Sequence, residues 1–231
     1  AKGPASFVYS AGLTANDSAS ANGYGAISMG AITKANGTYS VAMGLYNQSN
    51  GDHSFSAGYG NSSDGPYSTS FGNLSTAVGE GSFSAGKQNQ ALGDASISMG
   101  KNNQALGNGS VALGEYAIVK GNRSFVFSAA AGAADSATAN GAISVSMGAK
   151  TKANGAFSQA FGWNNQANGE YSSVTGESNV ADGNHSKVSG WNSYATGNAA
   201  FAHGIGNQAL GDGSVALGEY AIVKGNRSFV F

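Results

Sequence analysis

Residues 24–51 read YGAISMG, AITKANG, TYSVAMG, LYNQSNG, four groups of seven that each close on glycine. The glycine recurs in both directions. It stands at Gly23, Gly30, Gly37, Gly44, Gly51, Gly58, Gly65, Gly72, Gly79, Gly86, Gly93, Gly100, Gly107, Gly114 and Gly121, and after a twenty-residue jump at Gly141, Gly148, Gly155, Gly162, Gly169, Gly176, Gly183, Gly190, Gly197, Gly204, Gly211, Gly218 and Gly225. Twenty-six complete heptads therefore occupy most of the 231 residues, which marks a repeat protein.

With the glycine numbered seven, position five is Ala, Ser or Val in every heptad, from Ser28, Ala35 and Ala42 to Ala209, Ala216 and Val223. Small residues there point to a tight space. Positions four and six alternate with five, which is the period of a strand, and the glycine supplies a corner that a bulky residue could not make. Each heptad is expected to be a short strand plus a corner.

Two kinds of heptad alternate, so the true repeat is fourteen residues. The first kind has large apolar residues at positions four and six: Ile27, Met29, Val41, Met43, Phe55, Phe71, Phe83, Ile97, Met99, Val111 and Leu113, then Phe161 and Phe201 in the second half. The second kind carries Lys34, Asn36, Gln48, Asn50, Ser62 and Asp64 there. One strand of each coil is expected to face a dry environment and the other water. Such coils stack about 4.8 Å apart in a flat parallel β-roll whose interior, on this reading, admits only Ala, Ser and Gly. A column of Ile, Val, Phe and Met on seven successive coils is too large an apolar patch for a soluble monomer. Burial against copies of the chain around a common axis is expected.

Composition narrows the function classes. The chain has 37 glycines, only 10% charged residues and a formal charge of -1 from 11 basic and 12 acidic side chains. No basic cluster points to nucleic acid or anionic lipid. Cysteine is absent, as are a leader-like apolar segment and any apolar run near the roughly 18 residues of a spanning helix. A membrane attachment is therefore expected to lie outside these residues. The strict register argues against disorder, because a flexible linker has no reason to keep a glycine at every seventh position.

In chain order, residues 1–23 form a lead-in and a first non-heptadic insert, 24–127 a first block of seven coils plus a terminal strand, 128–141 a connecting insert and 142–231 a second block of six coils plus a terminal strand. The insert SFVYSAGLTANDSASANG (6–23) returns as SFVFSAAAGAADSATANG (124–141), read as a strand and a loop, with a short helix through 129–139 as the alternative. Asn103–Phe127 repeats as Asn207–Phe231 with one difference, Asn108 against Asp212, and the first block has two extra heptads, Asp94–Gly107. Length has varied by a whole coil.

Catalysis finds no constellation. The histidines are His53, His185 and His203, without cysteine, paired carboxylates or a Ser-His-Asp spacing, so no catalytic residue, metal or cofactor is expected. A calcium β-roll needs a nonapeptide with a regular Asp, and the hexapeptide helix fails on period. Large aromatics at corners are better candidates. Position two of first-kind heptads carries Tyr39, His53 and Tyr67, then Phe157, Tyr171 and His185, while position one of second-kind heptads carries Tyr59, Trp163 and Trp191. These form stripes that either recognise a receptor or cover the gap between adjacent subunits. The second block also places Gln159, Ser173, Thr175, Lys187, Ser189 and His203 on the otherwise apolar strand. A ring of Lys187 side chains would hold an anion at the axis, or Lys187 bends into solvent or pairs with a neighbour's acid.

The segments TKANG (33–37), SVAMG (40–44), QALG (104–107) and SVALG (110–114) resemble the head repeats of YadA-like trimeric autotransporter adhesins of Gram-negative bacteria. The resemblance implies a left-handed parallel β-roll homotrimer on a coiled-coil stalk, with an outer-membrane β-barrel anchor and a place at the cell surface. It also implies virulence-associated, non-enzymatic attachment to collagen, fibronectin, laminin or CEACAM-type receptors. No neck, stalk or anchor is recognisable among these residues. The expected function is a multivalent adhesin head, with a structural spacer as the alternative.

Overall fold

Alternation along the heptads becomes two unequal strands per coil. In the computed structural model, which describes residues 1–12, 14 and 18–231, a strand of five residues is followed by a strand of two: Ile27–Ala31 by Lys34–Ala35, then Val41–Leu45 by Gln48–Ser49. Equivalent strands are parallel at an offset of fourteen, so Ile27 pairs with Val41, Ser28 with Ala42, Met29 with Met43 and Gly30 with Gly44. The protein is an all-β parallel solenoid. It divides into two compact units, Ala1–Leu113 and Gly114–Phe231.

In the first unit the long strands run in chain order from Phe7–Ser10 to Ile97–Lys101, and the short strands from Ser20–Ala21 to Gln104–Ala105 form a second parallel sheet. The second unit repeats this, with long strands from Phe125–Ala129 to Phe229–Val230 and short strands from Ile118–Val119 to Ile222–Val223. Its insert does not interrupt the stack. Phe125 pairs with Val145 and Ile118 with Thr138, so the extra six residues enlarge one coil and contain a single 3-10 turn, Ala133–Asp135, in place of the helix that was the alternative reading.

The glycines have a different cause from the expected corner. Second-kind glycines lie in turns without a left-handed φ, yet a Cβ on Gly37 would sit 2.0 Å from the carbonyl oxygen of Gly51, and one on Gly169 2.1 Å from that of Gly183. First-kind glycines lie inside the long strands: Gly30 has φ +128° and a Cβ there would be 1.9 Å from the Gly44 carbonyl oxygen. Glycine is required at most of these positions because the next coil's carbonyl occupies the place of a side chain, and at the first-kind positions also because φ lies between +95° and +128°, where side chains are rarely tolerated. The left-handed corner residue stands two positions later and is seldom glycine: Ile32, Tyr39, His53, Tyr67 and Tyr171 all have φ between +54° and +58°. This conformation costs about 1–2 kcal/mol per non-glycine residue. It is held by bonds between coils, in which the N–H of Tyr39 donates to the carbonyl of Tyr24, that of His53 to Thr38 and that of Tyr171 to Ala156.

Positions three and five of both heptads point inward. The interior is wider than Ala, Ser and Gly: its largest fully buried side chains are Val119, Val126, Val174, Val188 and Val223, together with Asn47, Asn61, Asn89, Asn103, Asn165, Asn179 and Asn207. The asparagines are tolerated because each side chain satisfies backbone groups on two coils. Asn179 Nδ2 donates to the carbonyls of Thr175 (3.0 Å) and Gly190 (2.7 Å), and its Oδ1 accepts the Ser193 N–H at 2.9 Å. Serines pair across the two sheets in the same space, as Ser49 with Ser56 and Ser63 with Ser70. Among the described residues no Leu, Ile, Met or Phe is buried within the chain. An outer amide ladder runs along the turns, Asn22 donating to Asn36, Asn36 to Asn50 and Asn50 to the Asp64 carboxylate.

Two comparisons check this account. Asn179→Ala strips partners from two part-buried carbonyls and one buried N–H, at about 1–3 kcal/mol for a buried group left unsatisfied and less for the carbonyls that water can reach, so it should lower unfolding stability by about 2–4 kcal/mol; Asn36→Ala, on the exposed ladder, should cost less than about 1 kcal/mol. Gly81 has φ +62°, and a Cβ added to it would meet nothing within 4 Å; thermal unfolding should show Gly81→Ala losing only the left-handed penalty of about 1–2 kcal/mol, whereas Gly169→Ala should prevent the coils from stacking.

Candidate recognition surface

Because the corner conformation repeats in every coil, side chains at position two project in line. Coil spacing of about 4.8 Å is also close to the separation at which aromatic rings stack with an offset. In the first unit Tyr39 and His53 lie 5.4 Å apart at 20°, and His53 and Tyr67 5.2 Å apart at 2°, with Tyr24 meeting Tyr39 edge-on at 5.4 Å. In the second unit Phe157 and Tyr171 are 4.7 Å apart at 3°, and Tyr171 and His185 5.0 Å apart at 2°. The structure thus brings together both predicted stripes. Their edges are open to solvent, Tyr67 at 60% and Tyr39 at 52%. Gly25 makes room for the first stack, since a Cβ there would be 2.6 Å from the Tyr39 ring.

The position-one aromatics are also exposed. Tyr59 meets Tyr46 edge-on at 5.7 Å. Trp163 ends the strand Gln159–Trp163 and Trp191 ends Lys187–Trp191, with Glu177 in register between them. Lys150 Nζ stands 5.0 Å from the Trp163 ring centroid and 3.1 Å from Asp135 Oδ1. That arrangement has no signal in the sequence, because it depends on a corner lysine reaching the neighbouring coil.

On the outer face of the long-strand sheet, Ile27, Met29, Val41, Phe55, Phe83, Ile97, Val111, Leu113, Phe161 and Phe201 are half-buried, while Met43, Phe71 and Met99 are exposed. Phe55 and Phe71 are 5.1 Å apart, and Phe71 and Phe83 6.0 Å. In the second unit this face carries the expected polar island. Lys187 pairs in register with Ser173 and Phe201, and Ser189 Oγ lies 2.6 Å from His203 Nδ1. Among the described residues no group of three His, Cys, Asp or Glu side chains is placed to hold a metal ion.

A family model described as YadA head domain repeat matches residues 21–47, 91–117, 139–165, 195–221 and 209–229, which together cover half of the chain. No curated protein matches it.

Stacking and backbone strain oppose each other at position two, and substitution separates them. Tyr171→Ala keeps the left-handed φ and loses two ring contacts, at about 0.5–1.5 kcal/mol each. Tyr171→Gly loses the same contacts and relieves about 1–2 kcal/mol of strain. Denaturant unfolding should therefore rank wild type and Tyr171→Gly close together, with Tyr171→Ala below both.

Proposed function

The chain belongs to the family of YadA head domain repeats, and from that premise we propose that it is the binding head of a trimeric surface adhesin. Heads of this family serve adhesion and are carried, in full-length proteins, on the outer membrane. The observation that carries the finer reading is the apolar face on the long-strand sheet. Its Ile, Met and Phe side chains have no place inside their own coils, which are filled by Ala, Ser, Val and Asn. Three copies packed face to face would remove this surface from water at about 25 cal/mol per Å² of apolar area. The result is a stiff homotrimer presenting every corner stripe three times.

The ligands we propose are host extracellular-matrix proteins (collagen, fibronectin, laminin) or CEACAM-type receptors, bound without chemistry through Tyr39, His53, Tyr67, Tyr59, Phe157, Tyr171, His185, Trp163 and Trp191. Weak contacts repeated on three subunits gain about 10²–10⁴ in avidity when the partner is clustered. Virulence follows from attachment in this reading.

The test is a binding screen of the purified head on immobilised matrix proteins and CEACAM-type ectodomains, with two variants. Phe55→Lys combined with Phe71→Lys should leave the β-sheet circular dichroism unchanged, because both side chains point out of the coil, and should lower avid binding at least tenfold as the trimer separates. Deleting the coil Asp94–Gly107 distinguishes a pure spacer, which would tolerate this and the loss of the surface aromatics. A head that binds none of these ligands overturns the receptor assignment.

A further inference from the structure

We propose that Trp163, Glu177 and Trp191 form a guanidinium-binding site that takes an arginine side chain of a partner protein. The three are the last residues of successive long strands, Gln159–Trp163, Ser173–Glu177 and Lys187–Trp191. Their register is direct, Trp163 opposite Glu177 and Glu177 opposite Trp191. Parallel strands spaced about 4.8 Å apart therefore set the two tryptophan positions about 10 Å apart along one edge, with the glutamate position midway. All three side chains are open to solvent, the tryptophans at 44% and 47%.

The charge of the site selects its ligand. An anion is repelled by Glu177, and an aliphatic side chain would strip water from that carboxylate without pairing it. A cation satisfies both kinds of wall. Trp163 already receives one: the Lys150 ammonium stands 5.0 Å from its ring centroid and is itself anchored by Asp135 at 3.1 Å, and it comes from the coil on the other side of Trp163 from Glu177. Guanidinium suits the remaining space better than ammonium. It is planar, so its face lies on an indole while its edge donates two hydrogen bonds to a carboxylate, and it sheds water more readily. A group stacked on either indole comes to the level of Glu177, one coil away.

This inference deepens the adhesin reading by naming the chemistry of one partner contact. It is tested on the chain itself, so that its failure and the failure of the adhesin reading are separate results. Trp163 and Trp191 are the only two tryptophans, and indole emission reports this edge alone. The intact head is titrated with the peptide acetyl-Gly-Arg-Gly-amide and with its lysine and citrulline counterparts. The expected result is a saturable emission change with the arginine peptide, at least fivefold weaker affinity for lysine, and none for citrulline, which keeps the shape without the charge. Glu177→Gln should weaken arginine binding at least tenfold with unchanged circular dichroism, and Trp191→Phe should keep part of it. An absent or unsaturable response to arginine, equal responses to arginine and citrulline, equal affinity for lysine, or an unaffected Glu177→Gln variant would each overturn the assignment.

Discussion

Every feature of this protein depends on how closely one coil lies on the next. At most ladder positions a carbonyl oxygen of the next coil stands about where a Cβ would be, 2.0 Å away for Gly37 and 1.9 Å for Gly30. No side chain fits there. The close approach lets parallel strands pair in register without slipping, because a shift of one residue would bring Met29 or Ala31 against a backbone that leaves room only for hydrogen. It also places the position-two N–H within reach of the coil below, and those bonds hold tyrosine, histidine and even isoleucine in a left-handed conformation.

The same closeness decides what the interior can contain. Its volume accommodates Ala, Ser, Val and a folded-back Asn, so hydrogen bonds between coils replace much of the apolar burial of an ordinary domain. Asn165, Asn179 and Asn207 each join two coils by side-chain contacts to backbone, which spreads cohesion along the stack. Large apolar residues are displaced to the outer face of the long-strand sheet. A chain built in this way leaves a broad apolar face on its own surface, and the proposed trimer would cover it.

Much of this was legible in the sequence. The heptad spacing states the coil, the alternation at positions four to six states which side chains point out, and the column from Ile27 to Leu113 marks the apolar outer face of the long-strand sheet. The corner stripes were legible as well, since a residue recurring every fourteen positions must line up with its equivalents. Other features depend on distances between coils that no local pattern expresses. Glycine reads as a bend because propensity gives that reason first, and the structure adds a steric one. The Asn47, Asn61, Asn89 and Asn103 series shares a single heptad position and would have revealed the inner amide ladder, but asparagine is ordinarily placed outside. The contact of Lys150 with Trp163 depends on side-chain direction at a left-handed corner, which spacing does not supply.

In the proposed adhesin these properties would act together: closely stacked coils, an apolar face for self-assembly and corner side chains displayed at fixed intervals. The most direct measurement of the central claim is the solution mass of the unmodified chain by sedimentation equilibrium over a range of concentrations. The account predicts that at micromolar concentration the folded species has three times the 22.9 kDa chain mass. A stable, folded species of a single chain mass, with the long-strand face exposed, would contradict it.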